Sequence, residues 1–307
     1  MHVYHTALPP TSGPLGRRVE CVDPLRAHWD FDDLDATERR FRELLAEERD
    51  EASRAEILTQ LARVAGLRGD FGQATRLIED AQTDGGKSAR ARARSNLELG
   101  RILRSSGDAP GAFRLFEAVF GAARAAGEEY LAADAAHMAA LAAPDRNGFL
   151  AWAQRGIEVA ESSESATYWL APLLNNLGWE LFETGDHARA LEAFERALAE
   201  RERDPDRPQE IAIARYAVAK TLRVLGRTDE ALRHMERAVA ADEADGWFRE
   251  ELAETYAALG RSEDATAHAG RALALLAGAD PSFESDENRR SRLKELAHAS
   301  RDRARRT

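Results

Sequence analysis

The chain has 307 residues, of which 44% are apolar and 32% charged, and carries a net charge of −11. The charge is uneven: residues 289–307 hold eight basic and two acidic side chains, so the remainder carries −17. An acidic body argues against general nucleic-acid binding, which needs phosphate neutralisation. The lone Cys21 excludes an internal disulfide or a cysteine zinc site, and no apolar run approaches the roughly 18–20 residues that span a bilayer.

Abundant alanine, with sparse Val, Ile, Thr and aromatics, favours helix over strand. Met1 to Pro10 shows no basic-then-apolar signal pattern, and with the reduced cysteine this points to the cytoplasm. Residues 1–26, rich in Pro, Gly and turn formers, read as a flexible N-terminal tail. Residues 27–54 are assigned to an N-terminal capping helix. Asp33 or Asp35 starts it, Glu38 stands three residues after Asp35, and Phe41, Leu44 and Leu45 share one face of Ala36–Glu48. The acidic run from Asp30 to Asp35 is not a calcium loop, because the sixth and twelfth positions hold Asp35 and Phe41 in place of glycine and glutamate.

Residues 55–283 are internally repetitive. Gly69, Gly107, Gly185, Gly226 and Gly260 are each followed, five residues on, by Ala74, Ala112, Ala190, Ala231 and Ala265. Four further on stand Ile78, Phe116, Phe194, Met235 and Ala269, and three further again Ala81, Val119, Ala197, Ala238 and Ala272. Seven before each glycine is a small residue: Ala62, Gly100, Gly178, Ala219 or Ala253. The 78-residue gap from Gly107 to Gly185 hides a degenerate copy anchored at Pro144, with helices over Tyr130–Ala142 and Phe149–Glu161. Each copy predicts two antiparallel helices. The glycine ends the first, Asp70, Asp108 or Asp186, or Thr228 or Ser262 one residue later, caps the second, and small residues let the pair approach around the larger +9 side chain.

At the end of the first copy, Ala81 to Ser88 approximates a phosphate-binding loop, with Gly86-Lys87-Ser88 at its end. Alanine replaces the first glycine and no strand precedes it, so the segment reads as an inter-repeat turn followed by a helix cap. The array ends near residue 283. Residues 284–307 are assigned to a C-terminal capping helix, Glu287–Arg303 with Leu293, Leu296 and Ala297 on one side, and a basic tail.

This pattern resembles the tetratricopeptide repeat family, most closely in the copy running Leu174-Asn175-Asn176-Leu177-Gly178 to Ala197. The 41-residue step with its Arg203–Pro208 loop, and the Asn175-Asn176 pair, resemble the kinesin-light-chain-type subgroup. The resemblance implies an all-α, right-handed superhelical solenoid of about six repeats, with ligands on the concave face lined by first helices. It also implies a peptide-holding role for Asn175 or Asn176.

Positions ten, six and three before each anchor share one stripe of the first helix. They supply Arg63, then Arg101 and Arg104, then Asn175, Trp179 and Phe182, then Tyr216, Lys220 and Arg223. Aromatics and arginine dominate binding hot spots, and this stripe is more basic than the chain. The expected ligand is a protein or extended, acidic peptide. A sensor of a short signal peptide and a self-assembling homo-oligomer are the alternatives. Nucleic acid and membrane are not expected as partners. The eight scattered histidines lack zinc spacing, no nucleophile–base pair stands out, and neither a cofactor nor an enzymatic activity is expected.

Overall fold

The computed structural model describes residues 23–85 and 87–304. These form fifteen α-helices and two short 3-10 helices, with no strand among the described residues. The chain divides into two compact units, one within Met1–Leu177 and the other within Gly178–Thr307.

In the first unit, α1 (Leu34–Glu47) precedes three helical hairpins: α2 (Glu51–Leu67) with α3 (Phe71–Asp84), α4 (Ala89–Ser105) with α5 (Ala109–Ala126), and α6 (Glu129–Ala142) with α7 (Arg146–Ser162). The last pair is the degenerate copy, and its turn at Pro144 replaces the glycine turn of the others. α8 (Leu170–Glu183) carries the boundary between the units. The second unit continues with α9 (His187–Glu202), the pair α10 (Pro208–Val224) and α11 (Thr228–Ala241), and the pair α12 (Gly246–Ala258) and α13 (Ser262–Leu276). Short α14 (Pro281–Ser285) and α15 (Glu287–Ala304) close it, burying Phe283, Leu293 and Leu296 against α12 and α13.

The hairpin turns follow from the anchor glycines. All five have positive φ, from 72° at Gly260 to 99° at Gly107, which only glycine adopts without strain. The reversed chain lets the next N–H return to the carbonyl five residues back, as Asp70 N–H does to Ala65 O at 2.9 Å. Asp70, Asp108 and Asp186 then cap the following helix through their side chains. Thr228 and Ser262 do not cap. The chain enters those helices one residue earlier, at Arg227 and Arg261, whose guanidiniums instead hold Glu230 and Asp264 at 2.7 and 2.8 Å. At the amino end the cap is Asp33, accepting from Ala36 N–H, and Asp35 lies in the first turn.

Within each hairpin the small residue meets the large one. A Cβ placed on Gly100 would stand 2.4 Å from the ring of Phe116, and one on Gly178 would stand 2.5 Å from Phe194. Both rings are fully buried. Ala81, the first residue of the approximate phosphate loop, is fully buried too, and Ser88 caps α4, so that segment is an inter-repeat turn.

Candidate functional site

The first helices of the first unit, α2, α4 and α6, expose a face rich in charge. Its predicted stripe is only partly open: Thr59 and Leu97, ten before their anchors, are fully buried between helices. Arg101 lies between two acids, Glu98 on its own helix and Asp134 on α6, each at 2.5 Å. Burial pulls this guanidinium down, but Asp134 and Glu98 more than offset it and hold it above its ordinary value. Arg63 stands 3.9 Å from Glu98, and burial, with repulsion from Arg101, lowers it. Arg104 is lowered by burial. The basic stripe therefore faces acids of its own chain, and Asp134 is ten before Pro144, at the stripe position of the degenerate repeat.

One turn further toward the amino ends of these helices is a denser cluster that the three stripe positions do not include. Arg94 is buried and holds Glu56 at 2.8 Å and Asp23 at 2.6 Å. Arg90 holds Glu56 at 3.0 Å and Glu128 at 2.5 Å. Asp23 belongs to a segment whose 3-10 turn, Pro24–His28, runs across this face. Trp29 Nε1–H donates to Gln60 Oε1 at 2.8 Å, its ring stacks on Phe31 at 4.7 Å, and Arg26 lies 3.9 Å over the Tyr168 ring. Residues 23–26, which the sequence groups with the tail, are thus folded onto the first helices; the rest of that tail, residues 1–22, lies outside the described residues. The visible signal for the cluster is Arg90 and Arg94, four apart on one first helix.

At the carboxyl side of the unit, the Asn176 amide donates to His137 Nε2 at 2.8 Å, leaving the ring proton on Nδ1, a buried atom without a partner. Burial is the main cause that pushes His137 down to about 4. Asp134 opposes the shift, and Arg101, Arg63 and Arg104 add to it. Asn175 is half-buried on α8.

The second unit gathers the aromatic residues of the stripe. Trp179 contacts Phe182 at 5.6 Å, Phe194 at 4.9 Å and Tyr216 at 6.3 Å between ring centres. Tyr216 continues the row to Phe248 at 5.8 Å and is itself buried, whereas Trp179 and Phe182 are half-buried. Lys220 Nζ donates to the Tyr216 hydroxyl at 3.2 Å and lies 5.5 Å from its ring centre. Arg223 forks onto buried Glu251, with Nη2 to Oε2 at 3.1 Å. The last repeat's stripe is covered: Arg289 and Arg292 of α15 bind Glu250 and Glu254 at 2.8 and 2.9 Å, and Arg289 sits 3.7 Å over Trp247. The basic terminal helix thus neutralises an acidic first-helix face.

No group of His, Cys, Asp or Glu suited to a metal ion occurs among the described residues, and no helix there is long and apolar enough to cross a membrane. Tetratricopeptide repeat family models match residues 171–204 and, separately, residues 55–80, 212–237 and 246–271. These are four of the six helical pairs, so the chain carries repeats of tetratricopeptide type. Among solved structures, the apo form of RapI is similar with a TM-score of 0.65 and 12% identity, covering 90% of this chain and 80% of that one. The hetero-tetramer of the APC/C proteins Cut9 and Hcn1 gives 0.57 and 15%, covering 86% of this chain but 48% of that one. The chain thus spans about half the length of its counterpart there. These likenesses show the fold. No curated protein matches the sequence.

Proposed function

We propose that this chain is a non-enzymatic adaptor that holds an extended protein segment along the first helices of its tetratricopeptide-type repeats. The observation that carries the reading is the row Trp179, Tyr216 and Phe248 in the second unit, with Lys220 set over the tyrosine. Half-buried Trp179, backed by the buried rings of Tyr216 and Phe248 and with a cation at the tyrosine, supplies apolar area and an attachment for a carboxylate at low entropic cost. Trp179, Phe182 and Lys220 make the contact surface. Arg223 shapes it through Glu251, and Asn175 and Asn176 lie further up α8. The ligand on this reading carries acidic residues. The long α9–α10 loop, Arg203–Arg207, and the paired asparagines favour the kinesin-light-chain-type subgroup. Among the similar structures, the Cut9–Hcn1 hetero-tetramer is an assembly of two different proteins.

The test is selection of peptides from a random library on the full chain, followed by titration calorimetry. Selected peptides should be enriched in Asp and Glu, and Lys220→Ala or Trp179→Ala should weaken them at least ten-fold. Peptides that bind equally well to both variants, or a library that yields none, would overturn the assignment.

A further inference from the structure

Arg101 and Asp134 pair across α4 and α6 at 2.5 Å. One turn further along each of these helices stand Arg104 and His137, and this second level is built differently. Among the described residues no carboxylate lies within ion-pair distance of Arg104; burial lowers its pKa and no acid offsets the shift. The equivalent residue on α2, three before its own anchor, is Gly66, where an added Cβ would meet nothing within 4 Å. The stripe therefore has an open place beside a half-buried arginine. On the other side α6 supplies His137, whose Nε2 accepts from Asn176 of α8 at 2.8 Å. Arg63, Arg101 and Arg104 all act on this ring, against the two acids Glu98 and Asp134 among them, an excess of one positive charge. Elsewhere on the face the ion pairs close on themselves: Arg94 holds Asp23 and Glu56, and Arg90 holds Glu56 and Glu128. A partly desolvated guanidinium without an acid is costly, and its planar fork matches an oxyanion.

We propose that Arg104, at the open place beside Gly66, binds an oxyanion, the carboxylate or phosphate group of a ligand, and that His137 takes up a proton as it does so. The site lies within the first unit and goes beyond the aromatic face of the second. The linkage follows from charge. The free ring is neutral because burial and three guanidiniums disfavour its cation, and Asp134 alone does not overcome them. An anion on Arg104 cancels one of those cations and attracts the imidazolium. The groups facing the ring are Arg63 of α2, Arg101 and Arg104 of α4, Asp134 of α6 itself, and two neutral ones: Asn176 of α8 and Trp169, whose ring centre is 5.3 Å away. A charged ring donates from Nε2, so the Asn176 amide turns to present its oxygen. Reciprocity then makes the proton tighten the anion by the factor with which the anion favours the proton.

The experiment uses the full chain and sulfate, whose charge is constant across the pH range read. The His137 Hε1 resonance, assigned by its loss in His137→Gln, is followed at about pH 5.5, with chloride at equal ionic strength as the control. The free ring, with its pKa at about 4, is neutral there. Sulfate should move the resonance saturably to the imidazolium position. It should bind about four-fold more tightly at pH 5.5 than at pH 7.5, the factor that follows if the bound anion raises the ring to about 6. Arg104→Gln should weaken sulfate by about ten-fold or more at unchanged helix content. Gly66→Leu, which fills the open place and leaves every charge where it was, should do the same. His137→Gln should still bind, with equal affinity at the two pH values. The same shift with chloride, wild-type affinity in both Arg104→Gln and Gly66→Leu, or equal wild-type affinity at the two pH values overturns the proposal. Inorganic phosphate and tetraglutamate then compete with sulfate: the one that displaces it at the lower concentration is the source of the oxyanion, and displacement by neither overturns the site. Tetraglutamate binding that falls with Lys220→Ala and not with Arg104→Gln belongs to the second unit, so the two readings fail separately.

Discussion

Arg101 on α4 and Asp134 on α6 meet at 2.5 Å, tying the first helices of two consecutive repeats together across 33 residues. Both side chains are largely buried, and Glu98 completes the site. Removing one partner leaves the other charge in a place it cannot hydrate. Asp134→Ala should therefore destabilise the first unit by about 3–5 kcal/mol, whereas the paired replacement Arg101→Met/Asp134→Leu, made with Glu98→Gln so that no buried carboxylate is left alone, should come within about 1 kcal/mol of the wild type. Urea unfolding of the three chains checks this. Equal losses in the single and paired variants would show that the pair is not what joins the repeats.

The glycines divide into two kinds with opposite expected signs. Gly100→Ala and Gly178→Ala drive a methyl into the rings of Phe116 and Phe194, which are buried and closely surrounded, and should cost about 1–3 kcal/mol each. Gly121 on α5 and Gly270 on α13 have nothing within 4 Å of an added Cβ, and both are exposed. There alanine should stabilise by about 0.5–1 kcal/mol, since glycine in a helix interior loses more backbone entropy. Thermal unfolding of the four variants should show two falls and two rises.

The hairpins were legible because each core position is set by local chemistry. A positive φ demands glycine, an aspartate caps, and a small residue faces a large one, all at fixed spacing from one anchor. The face was less legible. The spacing identifies which residues share a stripe, yet not that Arg101 and Arg223 are engaged by Asp134 and Glu251, which come from neighbouring repeats 33 and 28 residues on. Asp134 was hidden because its repeat has Pro144 in place of the anchor glycine. Asp23 was harder still. Nothing in a Pro- and Gly-rich amino end indicates that one carboxylate will pair with Arg94, 71 residues away.

Lys220 and Arg223 sit one turn apart on α10 and should respond differently to truncation. Lys220 is half-buried and bonds only the Tyr216 hydroxyl among the contacts that define it, so Lys220→Ala should leave stability within about 0.5 kcal/mol. Arg223→Ala abandons Glu251, which is buried, and should destabilise the second unit by about 3 kcal/mol or more. Denaturation beside peptide titration separates the two. A large stability loss in Lys220→Ala would mean that the lysine is structural and not part of a contact surface.

His137 should make the first unit sensitive to mild acid. Its folded pKa is pushed down to about 4, chiefly by burial, from an ordinary value near 6.5. Between those values the unfolded chain binds a proton that the folded chain does not, so stability falls as pH drops through that window and is full above it. The groups facing the ring are Asp134 on α6, Arg63 and Arg101 on the neighbouring first helices, Arg104 beyond them, and Asn176 on α8. Only Asp134 favours the charged ring. For one group with these two values, the loss at pH 5.5 relative to neutral pH is about 1.4 kcal/mol. His28, His234 and His268 are also lowered and act in the same direction, so the comparison must be differential. Urea unfolding at pH 7.5 and 5.5 should show His137→Gln losing about 1 kcal/mol less than the wild type over that interval. Equal losses in the two chains would mean that the histidine is charged where it lies, and that Asn176 accepts from it instead of donating.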